Sequence, residues 1–367
     1  MFADPVDEVR ADAYQDVEAA LDALDDALKR GGHVAGLVAY EAGYALERVR
    51  PAPPVPEGPL VWFGVYDAPR VLTADAVARA LPEARLDVRE ARFHLSRDAY
   101  RDRIARIKAH IHAGDVYQVN LTAPVSFRTE AGAASLFAAL RARQEVAYGA
   151  LLRLPDLDVV SVSPELFVRV DEAPGGRTVT ARPMKGTAPR GASAEADADL
   201  VDALLAGEKD RAENLMIVDL LRNDVSRVSR PGSVRVPSLF RAERYATLTQ
   251  MTSTVQADLR PDVGLGDLVR ALFPCGSVVG APKIRAQEII LDLEPEPRGV
   301  YCGAIGYASP GAHPLGTAAF NVAIRTAVLR GERGRYGVGS GVVWDSEADA
   351  EYDECLLKAR VLVDLLP

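Results

Sequence analysis

A chain of 367 residues with 48% apolar and 26% charged residues has an ordinary globular composition, which excludes a fibrous repeat or a disordered polymer and leaves length enough for a sizeable core. A formal charge of −9, from 43 basic and 52 acidic residues, speaks against coating nucleic acid or an anionic membrane, so neither is expected as a partner and any anionic ligand must be met by local cations. Cys275, Cys302 and Cys355 show no paired CxxC spacing, the acidic start MFADPVDEVRADAYQD has no secretory character, and no run of about 18 apolar residues occurs; the expected address is the cytoplasm, without disulfides or a zinc site.

In chain order, Val17, Leu21, Leu24 and Leu28 recur at helical spacing within residues 14–30, and Gly31 and Gly32 close the helix. VAGLVAYEAGYAL reads as a strand entering a turn, and the proline-rich stretch at 49–59 as an extended connector. Residues 1–90 are expected to form an N-terminal segment packed on a main domain at 91–367. Ser96 is a candidate N-cap for a helix carrying Ile104, Ile107 and Ile111 and stopped by Gly114. A strand at 116–128, a helix at 132–143 and strands at 147–153, 158–163 and 166–171 follow. Val179, Thr180 and Ala181 lead from a strand into a loop around Lys185, where Pro183 and Gly186 break the pattern. From Glu208, the residues Ala212, Leu215, Met216, Val218 and Leu221 predict a buried helix; 346–366 predicts another, with Ser346 as N-cap.

Residues three or four apart share a helix face, so Asp210 and Glu213 project together, as do Glu351 and Glu354, with Lys358 one turn beyond. If the two pairs face each other they repel unless a hard cation lies between them, and oxygen ligands favour Mg²⁺ over Zn²⁺. Gly337, Gly339 and Gly341 form GxGxG rather than a dinucleotide fingerprint, and GSVVGAPK misses the P-loop pattern; both can still offer backbone N–H groups to a carboxylate. His110 and His112 lie roughly 200° apart on a helix and are not expected to act as joint ligands.

Taken together, YQVNLT at 117, SPELF at 163, RPMKGTAPRG at 182, KDRAENLMIVDLLRND at 209, FPCGSVVGAPKIRAQEI at 273, RGVYCGAIGY at 298, NVAIRT at 321 and GVGSGVVWDSEADAEYDE at 337 resemble, in one order, the chorismate-utilising enzymes. That family includes the component I chains of aminodeoxychorismate and anthranilate synthases, and the isochorismate and salicylate synthases. The resemblance implies an α+β fold, a mixed α/β sandwich of the anthranilate synthase component I type, with Mg²⁺ as cofactor and chorismate as substrate. Lys185 in the PxxGT segment resembles the branch that makes 4-amino-4-deoxychorismate for 4-aminobenzoate and folate, since the anthranilate branch usually has alanine there.

Carried over residue by residue, the resemblance makes Lys185 the nucleophile and Glu165 the acid that protonates the departing C4 hydroxyl. Only a neutral amine attacks, so the resemblance implies surroundings that disfavour the ammonium form by roughly 4 kcal/mol. Gly186, Thr187, Ser277, Tyr301, Arg325, Gly339, Gly341 and Lys358 match positions that hold the two carboxylates of chorismate. Glu213 and Glu354 match direct Mg²⁺ ligands, with Glu351 and Asp210 holding its waters. Gln250 stands where many members have the histidine associated with pyruvate elimination, which disfavours lyase activity. No tryptophan-binding signature is recognisable near the N-terminus, and no stretch resembles a glutaminase or a fused lyase, so ammonia is expected from a separate glutaminase subunit. The rivals are an anthranilate synthase component, which Lys185 and Gln250 disfavour, an isochorismate or salicylate synthase, and a non-catalytic chorismate-binding subunit.

Overall fold

Strand alternation in this chain builds two antiparallel sheets whose apolar faces meet. The computed structural model describes residues 1–49, 53–144, 146–245, 248–363 and 365. Part of the proline-rich connector (50–52) and part of the expected C-terminal helix (364 and 366) lie outside the described residues.

The larger sheet has ten strands and runs in the order Asp7–Ala11, Val61–Tyr66, His33–Val38, Ala304–Ser309, Thr317–Val322, Leu166–Ala173, Gly176–Arg182, Leu248–Asp258 and Met184–Pro189, with Arg235–Arg244 also paired to Leu248–Asp258. The smaller sheet, of seven strands, runs Gly280–Ala281, Gln118–Arg128, Arg333–Val342, Thr326–Arg330, Asp158–Ser163 and Tyr148–Arg153, with Arg89–Phe93 against Gln118–Arg128. Leu37, Trp62 and Ile305 of the first sheet pack with Val159 of the second, and most remaining buried side chains form one continuous core. The N-terminal strands are woven into the larger sheet, because Val38 pairs with Ala304 and Leu37 with Ile305.

Helices cover the outer faces where apolar periodicity demands it. Val17, Leu21, Leu24 and Leu28 are all buried along Val17–Lys29, which packs on Leu265–Leu272. The Ser96 side chain accepts the Ala99 N–H at 3.3 Å and so caps Arg97–His112, while Gly114 ends it at φ +80°. The helix Gly132–Arg143 and the strand Asp158–Ser163 have the bounds that periodicity predicts.

Several expectations need correction. VAYEAGYAL contains the short helix Ala42–Leu46 where a turn was expected. Lys185 lies in a strand, Met184–Pro189, and not in a loop: Met184 pairs with Thr252 and Thr187 with Gln250, so Lys185 and Gly186 together span the interval of one partner residue, a bulge. Gly186 sits at φ +86°, which explains why the local pattern read as a break. In Glu208–Ser226 the buried face is Asn214, Ile217, Val218, Leu221, Asp224 and Val225, whereas Leu215 and Ala212 are exposed. That face includes two polar residues because each has a buried partner, Ser253 for Asn214 and Lys283 for Asp224. Ser346 does not cap its helix: it accepts from the Val343 N–H and donates to Glu351, and the helix runs only over Ala348–Ala359 before the chain turns to bury Leu362.

The Asp224–Lys283 pair, 2.8 Å apart with side chains 4% and 6% exposed, tests the packing. Lys283→Met leaves an unpaired buried carboxylate and is expected to destabilise the protein by about 3–5 kcal/mol in urea unfolding, while the double variant Asp224→Leu/Lys283→Met recovers much of the loss.

Candidate active site

Glu165 follows the strand Asp158–Ser163 at a tight turn pinned by Ser163, whose hydroxyl donates to Val322 O at 2.6 Å and accepts the Glu165 N–H at 3.2 Å. The Glu165 carboxylate is 4% exposed and accepts a hydrogen bond from Ser277 at 2.7 Å. Burial pushes its carboxyl up to about 7, and the Ser277 bond and the charges of Lys185 and Lys358 keep it from rising further. A carboxyl with that affinity exchanges protons readily near neutral pH.

The bulge aims Lys185 across the site toward the strand Arg333–Val342. A β-carbon at Gly341 would come within 3.1 Å of Lys185 Nζ and would collide with the Gln118 amide, so glycine is what admits both. Among the described residues Lys185 Nζ makes no hydrogen bond or ion pair, yet its charge lowers the proton affinity of Glu165, Glu213 and Glu354. Gly186 carries Asp210 beside it, since a β-carbon there would lie 3.1 Å from Oδ1.

The acids of the two helices face one volume. Burial raises Glu213, and Glu351 and Asp210 raise it further against Lys185 and Lys209; burial raises Asp210, and Glu354 adds to it. The Glu354 side chain is 48% exposed, so burial does little to raise it, and Lys358, at 2.6 Å, holds it below the usual carboxylate range. Glu351 accepts from Ser346 at 2.7 Å. Lys358 donates in addition to Gly339 O at 2.8 Å. Among the described residues no three acids converge closely enough to hold an ion as the side chains stand. The donor set itself, carboxylates that raise one another, fits a hard divalent cation, and for it Glu354 would exchange Lys358 for the metal.

Arg325 sits at φ +50° near Lys358, and burial lowers its proton affinity. Its guanidinium makes no hydrogen bond or ion pair among the described residues, which leaves its fork open to a carboxylate. Tyr301 packs its ring on Gly337 and lines a cleft of about 690 Å³ with Thr122, Arg298 and Gly337; neither Lys185 nor Glu165 lines that cleft. Thr187 is exposed and paired with Gln250, which therefore lies beside the Lys185 bulge. Lys185, Glu165, Ser277, Gly186, Gly341, Gly339, Lys358, Glu354, Glu213 and Asp210 are thus linked by contact or charge into one neighbourhood, with Arg325 and Glu351 within electrostatic range, whereas Tyr301 lines the separate cleft and Thr187 is exposed. His110 pairs with Asp115 and His112 stacks on Trp344, apart from each other as their spacing required.

Sequence reasoning did not single out Gln118. Its side chain is fully buried and both amide atoms lack a hydrogen-bond partner among the described residues, although the amide nitrogen lies beside Gly341. The signal was present in the alternation of YQVNLT: Gln118, Asn120 and Thr122 share one strand face, against Gly341 and Gly339, which pair with Asn120 and Thr122.

The chain matches the family described as chorismate binding enzyme over residues 1–364. It is 46% identical over 270 residues to the aminodeoxychorismate synthase of Streptomyces griseus, a match covering 74% of this chain and 36% of that protein. It is 39% identical over 303 residues to aminodeoxychorismate synthase component 1 of Klebsiella aerogenes, covering 82% and 65% of the two. The chain thus spans less than two thirds of the length of these curated relatives. Its fold superposes on the crystal structure of anthranilate synthase component I from Streptococcus pneumoniae TIGR4 with a TM-score of 0.82 at 27% identity, covering 99% of this chain and 91% of the other.

Ser277→Ala removes a hydrogen bond to the charged form of Glu165, so its carboxyl is expected to bind its proton more tightly by about one to two pH units. Titration of a carbon-13-labelled Glu165 side chain reads this directly; an unmoved midpoint would mean that Ser277 does not sense the charge.

Proposed function

Because the chain belongs to the chorismate binding enzymes, we propose that it converts chorismate and ammonia into 4-amino-4-deoxychorismate, with ammonia supplied by a separate glutaminase subunit. The observation that carries this reading is Lys185, a half-buried amine without a hydrogen bond among the described residues, close to a protonatable Glu165 and to a Gln118 amide that likewise has no partner among them. The names of the relatives from Streptomyces griseus and Klebsiella aerogenes support the same branch.

In this reading the neutral amine of Lys185 attacks C2 of the ring, the two ring double bonds shift, and the C4–oxygen bond breaks as Glu165 gives its proton to the departing hydroxyl, which leaves as water. Ammonia then adds at C4, the double bonds shift back, and Lys185 leaves C2 as the neutral amine; the new C4 ammonium gives a proton back to Glu165, so one amino group replaces one hydroxyl and both side chains are regenerated. Arg325 and Lys358 are suited to the substrate carboxylates, and backbone groups around Gly339 and Gly341 allow close approach. Glu213 and Glu354 would hold Mg²⁺, with Glu351 and Asp210 around it; the ion would supply positive charge to a ring carboxylate. Gln250 beside the bulge offers no acid or base, which favours a product that keeps its enolpyruvyl group over anthranilate. The absence of a helix long and apolar enough to cross a membrane, among the described residues, is compatible with work in the cytoplasm.

Mass spectrometry of the chain incubated with chorismate, Mg²⁺ and an ammonium salt is expected to find aminodeoxychorismate without anthranilate or pyruvate; anthranilate as product would overturn the proposal. Lys185→Ala is expected to lower turnover at least ~10³-fold with the fold retained. The Glu165 carboxyl, protonated below about 7, predicts a kcat that declines as pH rises through that value, and Glu165→Gln removes that limb together with most of the activity. Glu354→Gln is expected to raise the Mg²⁺ concentration needed for half-maximal rate about tenfold or more, read by titration.

A further inference from the structure

Arg298 is the most completely engaged cation near the site, although the reaction gives it no part. Its side chain is 2% exposed. The guanidinium donates to Val278 O at 2.7 Å, to Asn120 O at 2.7 Å, and to both oxygens of Glu294 at 2.7 and 2.8 Å, and it stacks over the Tyr40 ring at 4.3 Å. Glu294 accepts the Thr122 N–H at 2.7 Å as well. The backbone N–H groups of Arg298 and Gly299 donate to the two oxygens of Glu41 at 2.7 and 3.0 Å, and the Tyr40 N–H donates to Gly299 O at 2.8 Å. Glu41 is itself 2% exposed.

The bonds to Val278, Asn120 and Thr122 end on segments that carry site residues. Val278 adjoins Ser277, which holds Glu165. Asn120 and Thr122 share the strand face of Gln118 and pair with Gly341 and Gly339, against which Lys185 and Lys358 lie. Resting on the proposed reaction, we infer that Arg298 is a positioning residue: with Glu294 it fixes the turn of Ser277 and the strand of Gln118 at one spacing, and Glu41 fixes Arg298, which makes the N-terminal segment part of the catalytic apparatus. A guanidinium suits this task because it is planar, permanently charged and spreads its donors over a rigid fork that reaches three separate groups, whereas a lysine has three donors on a single atom.

The test uses Arg298→Lys and Glu41→Gln in the full chain, with two independent readouts. The first is the pH profile of kcat together with KM for chorismate. Glu165 is faced by Ser277, Lys185, Lys358, Cys275 and the Met184 N–H, and of these Ser277 is the one that Arg298 holds through Val278. Displacing Ser277 is therefore expected to lower kcat about tenfold or more, leave KM within about twofold, and move the alkaline limb upward toward that of Ser277→Ala. The second readout is amide hydrogen exchange, expected to quicken at 118–122 and 276–280 in both variants. A lower melting temperature with an unmoved limb and unchanged exchange in those two segments would overturn the inference. If Arg298→Lys fails to fold, Glu41→Gln, which keeps side-chain length, decides it by the same criteria. Should the parent form no aminodeoxychorismate, the functional reading fails alone, and the exchange measurement still decides whether Arg298 holds the two segments.

Discussion

Opposite charges crowded into one partly dry volume govern this site. Lys185 faces Glu165, Glu213 and Glu354, Lys358 faces Glu165 and Glu354, and each carboxyl would bind its proton more tightly without the lysines. The converse also holds for Lys358, which burial would discharge and Glu354 keeps charged. Such a set has no single stabilising pair: Glu165 is buried and feels the loss of a lysine most, whereas the Glu354 and Lys358 side chains, 48% and 40% exposed, are eased by solvent. Electrostatics of this kind divides two carboxyls of the same chemistry into different roles. Glu165, buried beside a hydroxyl, is tuned to about 7 and can carry a proton, while Glu354, paired at 2.6 Å, stays an anion.

The backbone makes room for that crowding. The strand Arg333–Val342 is stripped of side chains at Gly337, Gly339 and Gly341 on the face that meets Tyr301, Lys358 and Lys185. Opposite, the bulge at Lys185 and Gly186 turns a side chain that regular pairing would direct elsewhere, and Gly186 at φ +86° lets the strand continue to Pro189. Both devices need the two sheets at a fixed spacing, because a shift of one ångström between the bulge and the glycine strand would open the contact between Lys185 and Gly341. The buried Arg298–Glu294 pair ties Val278 to Asn120, and so holds the turn of Ser277 against the strand that faces the glycines.

The elements legible in the sequence are those whose period alone decides them: Val17–Lys29, with its apolar stripe, and Asp158–Ser163, a short apolar run between turns. The misread elements are those in which a distant residue decides. Ser346 reads as a cap until Glu351 claims its hydroxyl, and Lys185 reads as a loop residue until Thr252 and Gln250 supply a partner strand. The helix face of Glu208–Ser226 was misjudged because Asn214 and Asp224 are polar, and only the opposing Ser253 and Lys283 make their burial sensible. The same division applies to the site. Its charged residues stand in ordered blocks and were named; Gln118, Glu41 and Arg298 act through contacts far along the chain, and no local pattern distinguishes a buried amide or a buried ion pair from a surface one.

One pairing in the site bears on how substrate and metal would share it. A Glu354 carboxylate drawn toward a divalent ion would hold Lys358 less closely, and Lys358 closed on Glu354 at 2.6 Å reaches a substrate carboxylate less fully. Under the proposed function, transfer of Glu354 to the metal frees the lysine for the substrate, and a substrate carboxylate that takes the lysine frees Glu354 for the metal. Each ligand therefore lowers the cost of seating the other, a reciprocity that follows from linkage and requires no movement of the sheets. Arg325, half-buried and without a carboxylate partner among the described residues, takes no part in that exchange and is suited, under the proposed function, to orient an anionic substrate before the Glu354–Lys358 pair opens.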